Sequence, residues 1–139
     1  MAILLKNAQI VNEGNIIKGH ILIENEIISK IFDEQDDISS LANTIEIIDL
    51  KNKHVFPGVI DDQVHFREPG LTHKADIYTE SRAAVAGGIT AFMEMPNTVP
   101  NTLTQELLEE KYAIAAKNSA ANYSFFMGAS NNNLEEVLK

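Results

Sequence analysis

Over its first 50 residues the chain alternates short runs rich in isoleucine and valine with polar turns. Residues 3–5, 9–11, 16–17, 21–23, 27–28 and 31–32 are strand-like, apolar throughout except for Gln9. Asn12-Glu13-Gly14-Asn15 and Glu24-Asn25-Glu26 read as tight connections. Residues 44–50 alternate Ile45 and Ile47 with Glu46. β-Branched residues in short alternating runs between turn residues predict half-buried strands. We read residues 1–55 as a β-sandwich segment. Asp33-Glu34-Gln35-Asp36-Asp37 reads as a solvated surface turn. The loop at 38–43 that follows is the one place before residue 55 where a helical turn is expected.

The pattern changes at Pro57-Gly58. A short apolar run at 59–61 ends in polar residues. Ile77, Ser81, Ala84 and Val85 then share a helical face over 76–86, with Asp76 as N-cap and Gly87-Gly88 as the stop. Residues 89–95 form an apolar strand interrupted only by Thr90 and Glu94, and Pro96 ends it. Thr102-Leu103-Thr104-Gln105 reads as a capping box opening a helix to about Asn118. A third strand covers 123–127, and a last helical start covers 134–138. Strands alternating with helices imply a parallel sheet buried on both faces. The expected class is therefore α/β: a β-sandwich segment at 1–55, then at 56–139 the first strands and helices of a TIM-type (β/α)8 barrel, incomplete in this chain. On this reading the chain is the front third of a larger protein.

Composition narrows the function classes. With 45% hydrophobic and 22% charged residues among 139, the chain is neither disordered nor collagen-like. No apolar run is long enough for a membrane helix, and Met1 to Lys6 lacks the pattern of a signal peptide. A formal charge of −9 disfavours nucleic acid and anionic membrane as partners. The absence of cysteine excludes disulfides and thiolate metal sites. Cytoplasm is the default compartment.

The chemistry is concentrated between Pro57 and Gly70. In an extended segment alternate residues face one way, which would align Asp61, Gln63, His65 and Arg67. Same-face positions lie roughly 6.6 Å apart, close enough for two imidazoles to converge on one metal. The C-terminal end of a barrel strand is where such folds place active sites. Glu94, in an otherwise apolar strand, needs a buried partner such as Arg67, or a solvated pocket. Asn97, at the end of the next strand, would face the same mouth as Arg67.

Two stretches carry a resemblance to a family. Asp61-Asp62-Gln63-Val64-His65-Phe66-Arg67-Glu68-Pro69-Gly70 and, about 30 residues later, Met95-Pro96-Asn97-Thr98 resemble the signatures of dihydroorotases. These belong to the cyclic amidohydrolase group of the amidohydrolase superfamily. The resemblance implies a reaction in pyrimidine biosynthesis: dihydroorotate and N-carbamoyl-aspartate interconvert through attack of a metal-bound hydroxide on the ring amide. It implies zinc as cofactor, one or two ions per complete site. His65 matches the second histidine of the metal pair, while Gln63 stands where the first belongs, and a glutamine oxygen is a poor zinc ligand beside imidazole. Arg67 and Asn97 match the residues that hold the substrate carboxylate. His73 is a further candidate ligand; His20 and His54 read as structural. The other metal ligands and the catalytic aspartate of the family lie on later strands, so no catalytic residue is expected within this chain, which by itself should be inert. Three function readings stay open: the dihydroorotase-like hydrolase, a non-catalytic dihydroorotase-like structural partner (favoured by Gln63), and an allantoinase or hydantoinase (disfavoured by Arg67). Expected partners are the small-molecule substrate and either a second copy or the missing part of the chain.

Overall fold

The computed structural model describes residues 2–41 and 44–139, so Ala42 and Asn43 of the 38–43 loop, and Met1 of the leader reading, lie outside the described residues. The chain divides into two compact units between Pro57 and Gly58.

In the first unit β1 (Ala2–Asn12) pairs antiparallel with β2 (Asn15–Glu24), and β2 with β3 (Ile27–Asp33). The short predicted runs merge into these long strands because their connections are two-residue turns. Glu13 and Gly14 at one, and Asn25 and Glu26 at the other, all have positive φ, the pattern of a type I′ hairpin that matches strand twist. On the other edge of β1 run β4 (Glu46–Asp49) and β5 (His54–Val55), both parallel to it. The segment is therefore one five-stranded sheet rather than the two facing layers of a sandwich. The long β1 takes partners along both edges, which places every strand in one layer. A short 3-10 turn covers Ser39–Leu41.

A β-bulge in β1 between Leu5 and Ala8 places Asn7 in the left-handed region, at φ 56°. The extra residue shifts the alternation by one, so Leu5, Ala8 and Ile10 all pack with Ile21 and Ile23. The buried His20 accepts the Asn7 N–H at Nδ1, 3.0 Å away. That contact accounts for His20 as a structural histidine.

The second unit alternates strand and helix: β6 (Val59–Val64), α1 (Ile77–Ala86), β7 (Ile89–Glu94), α2 (Gln105–Asn118), β8 (Asn122–Phe125) and α3 (Leu134–Val137). The strands form a parallel sheet in the order β6-β7-β8. Phe92, on the middle strand, packs with Phe66, Ile77, Ala115 and Phe125, and the Phe66 and Phe92 rings lie 4.5 Å apart. Asp76 caps α1 as expected, accepting the Thr79 N–H at 2.7 Å. Ile77 and Ser81 are buried, but Val85 is exposed. The cap of α2 is Thr104, which accepts the Leu107 N–H; there is no capping box on Thr102, whose buried hydroxyl meets that of Thr98. Among the described residues no helix is long and apolar enough to cross a membrane.

Phe92 is only 1% exposed at the centre of the aromatic cluster. Phe92→Ala should lower unfolding free energy by about 3–5 kcal/mol, read from urea denaturation. Val85→Ala, on the exposed side of α1, should stay within about 0.5 kcal/mol of the parent.

Candidate active site

The site residues lie where β6 and β7 end. Pairing along β6 is irregular: Asp61 faces Phe92 and Val64 faces Glu94, three residues against two. The Asp61 carboxylate turns onto the backbone, accepting the Gln63 N–H at 3.1 Å. The expected alignment of Asp61, Gln63, His65 and Arg67 on one strand face is thus broken, first by this bulge. It is broken again at Arg67, a non-glycine residue at φ 72°, in the left-handed region. Between the two breaks Val64 and Phe66 turn into the core and His65 turns out to solvent.

His65 and Asn97 nevertheless come together. His65 Nδ1 and Asn97 Oδ1 are 2.9 Å apart. A carbonyl oxygen only accepts, so Nδ1 donates, and in the neutral ring the lone pair then lies on Nε2. The two loops are joined beyond this contact. The Val99 N–H donates to Pro69 O at 3.2 Å. Gly70, at φ +80°, lies so close to Val99 that a Cβ would sit 1.9 Å from its carbonyl oxygen. Glu68 is occupied elsewhere: its Oε2 accepts the Ile77 N–H at 2.9 Å, satisfying a free donor at the start of α1. A third loop is attached by the buried Asn133, which donates to Leu103 O and Gly128 O and accepts from Ser130. The roles of Glu68 and Asn133 were not visible in the sequence.

Beneath Arg67 and Met95 lies a buried ion pair. Glu94 Oε1 accepts the Arg67 N–H at 2.9 Å. Its Oε2 has the Lys111 ammonium 3.0 Å away and no other partner. Lys111 Nζ also donates to Met95 O at 3.1 Å. Burial pushes the Glu94 carboxyl up and the Lys111 ammonium down from their ordinary values, and each charge opposes the shift of the other. The buried partner expected for Glu94 is therefore Lys111, with Arg67 contributing its backbone rather than its guanidinium. The signal was present: Leu108, Lys111, Tyr112 and Ala115 follow helical spacing, so the lysine sits in the apolar stripe of α2.

A cleft of about 470 Å³ opens at these strand ends, lined by Asp62, Gln63, Met95, Pro96 and the 126–129 loop. A smaller hollow of about 150 Å³ adjoins it at Asn97 and shares Pro96, Gly128 and Ala129. Gln63 thus faces open space at the site. A zinc site needs three or four nitrogen, oxygen or sulfur donors. Among the described residues no three histidine, aspartate or glutamate side chains converge, and His73 is exposed in its loop. The chain supplies the His65 imidazole, and its own residues do not fit a zinc ion on their own.

The profile of the family described as dihydro-orotase-like matches residues 52–135, more than half the chain. The chain belongs to that family. It is 44% identical over 102 residues to the dihydroorotase of Carboxydothermus hydrogenoformans, covering 72% of this chain and 23% of that one. It is 36% identical over 126 residues to the dihydroorotase of Methanosphaera stadtmanae (91% and 28% covered). The allantoinase of Desulfitobacterium hafniense is 35% identical over 136 residues (97% and 29%). Among solved structures, the L-hydantoinase of Arthrobacter aurescens superposes with a TM-score of 0.87 at 29% identity, over 97% of this chain and 29% of that chain. The chain spans about a quarter of the length of the curated relatives it matches. Within this dihydroorotase-like segment, the two motifs form one connected corner through His65–Asn97, Arg67–Glu94 and Gly70–Val99.

The His65–Asn97 bond makes a spectroscopic prediction. Asn97→Ala should convert His65 from the Nδ1–H tautomer to a mixture dominated by Nε2–H, the form favoured by free imidazole. Nitrogen-15 chemical shifts of the ring read this directly at pH 8. The fold should survive, since Asn97 is exposed.

Proposed function

We propose that this chain forms the substrate-carboxylate corner of a dihydroorotase-like cyclic amide hydrolase, which interconverts dihydroorotate and N-carbamoyl-aspartate. The observation that carries the reading is the state of Arg67. The carboxylates nearest to it in sequence and in contact are committed elsewhere: Glu68 to the Ile77 N–H, Glu94 to Lys111 and the Arg67 backbone. Among the described residues the guanidinium has no ion-pair partner. A half-buried, uncommitted guanidinium suits a planar carboxylate, which it binds through two parallel hydrogen bonds. Asn97 spends its oxygen on His65 and keeps its amide N–H groups for the same ligand. His65 holds its Nε2 lone pair ready for a metal or a proton. The further donors that zinc requires are not among these residues, and no step is derived through it.

In this reading the three parallel strands are the opening strands of a TIM-type (β/α)8 barrel. The isoleucine-rich sheet of the first unit is one layer of a sandwich. Val59 and Ile60 on β6, and Ile28 and Ile31 beside an apolar hollow on the first sheet, are exposed surfaces for further chain or a second copy to cover. The dihydroorotase and allantoinase relatives and the hydantoinase structures share ring-opening of a cyclic amide, and Arg67 favours the substrate that carries a ring carboxylate.

The test is steady-state ring opening of dihydroorotate by the full-length protein. Arg67→Ala should raise KM about 10- to 100-fold, the loss of a hydrogen bond to a charged group worth roughly 1.5–3 kcal/mol. Turnover of hydantoin or allantoin unaffected by Arg67→Ala would select the allantoinase or hydantoinase reading. Absence of turnover on all three substrates with added zinc would select the non-catalytic partner, which Gln63 favours.

A further inference from the structure

One structural device contacts the backbone beside both residues of the proposed clamp. Glu94 is 1% exposed and Lys111 is fully buried. Glu94 Oε1 receives the Arg67 N–H, and Lys111 Nζ donates to the carbonyl of Met95, two residues before Asn97. The ammonium is also 5.0 Å from the centroid of the Phe125 ring, so β8 packs against the pair as well. Arg67 needs such support. A residue with a Cβ disfavours the left-handed region, and its N–H there is outside the strand ladder.

We propose that Glu94, with Lys111 as its buried charge partner, is a positioning residue for substrate binding. The Glu94 carboxylate holds Arg67 in its left-handed conformation and so aims the guanidinium, while Lys111 serves as the charge partner that lets that carboxylate stay buried. This rests on the reading of Arg67 as a carboxylate clamp. Neither residue touches the ligand. A structural pair alone would be replaceable by any well-packed neutral pair. A positioning pair is replaceable only by one that keeps an acceptor for the Arg67 N–H. Removing one charge leaves the other buried and unpaired, so single variants are unsuitable and both partners are changed together.

The experiment compares two double variants of the full-length protein. Glu94→Gln with Lys111→Met keeps an oxygen acceptor; Glu94→Leu with Lys111→Leu removes it. Both should fold, as judged by circular dichroism and a cooperative melt. In the leucine pair, hydrogen exchange of the Arg67 amide should accelerate at least tenfold. KM for dihydroorotate should rise at least tenfold, with kcat within threefold. In the glutamine–methionine pair both quantities should stay within threefold of the parent. Unchanged Arg67 exchange in a folded leucine pair would overturn the proposal. So would faster exchange with an unmoved KM while Arg67→Ala raises KM, and in that case the clamp itself stands. If Arg67→Ala also leaves KM unmoved, the clamp reading fails and takes the positioning role with it, even where exchange shows Glu94 fixing the backbone.

Discussion

A carboxylate withdrawn from water must meet a donor or an opposite charge, and Glu94 meets one of each. This requirement organises the second unit. Lys111 projects from the apolar stripe of α2 to reach the end of β7, which fixes how that helix lies on the sheet. The Arg67 N–H satisfies the other oxygen, which draws the end of β6 to the end of β7 after the regular ladder has stopped. A left-handed arginine costs about 1–3 kcal/mol, and a hydrogen bond to a charged acceptor contributes roughly 1.5–3 kcal/mol. The two are of similar size, so the conformation persists because Glu94 is there to accept. The polar core costs desolvation, and in return the chain changes direction at the point where the strand releases its side chains into the mouth.

That change of direction explains why the loop after β6 is shaped by few residues. Once Arg67 has turned, Glu68 reaches the first N–H of α1 and Gly70 lies against the Val99 carbonyl. Gly70 is at positive φ and in contact with backbone, so an added Cβ would strain it on both counts. The Arg-Glu-Pro-Gly run therefore divides its labour. Arginine turns the chain through its backbone, glutamate and glycine dock the loop, and the Pro69 carbonyl accepts from the neighbouring loop. The sequence motif is largely a description of how two loops are fastened.

Much of this organisation could be read in advance, and the failures have physical causes. Helix α1 matched its expected bounds because Asp76 and Gly87 are local signals that act within one turn. The strands of the second unit were legible because an apolar run beside a helical stripe has few alternatives. The single-layer sheet was not legible, because alternation reports that one face is buried without saying which strands share a layer. Period-two alignment failed at 61–67 because a bulge and a left-handed residue each break the alternation, and neither has a marker such as glycine in the sequence. The α2 cap was misplaced by two residues because Thr102 and Thr104 both suit an N-cap, and tertiary bonds to Thr98 took the first. Lys111 is hard to read from sequence because a lysine on a helix is usually solvated, although Glu94 requires a partner.

The least conventional residue at the site is Gln63, and its surroundings clarify what the amide means. It lines the open cleft, and its backbone N–H is held by Asp61. Nothing in that arrangement depends on the identity of the side chain: the bulge is fixed by backbone and by Asp61, the strand end by Glu94. An imidazole at 63 would leave the fold of this corner alone and change only the donor offered to the cleft, from an amide oxygen to a nitrogen that zinc prefers. The Arg67 half of the corner has a separate support in Glu94 and Lys111. On the proposed reading, the substrate carboxylate and a metal would therefore be held by different parts of this segment.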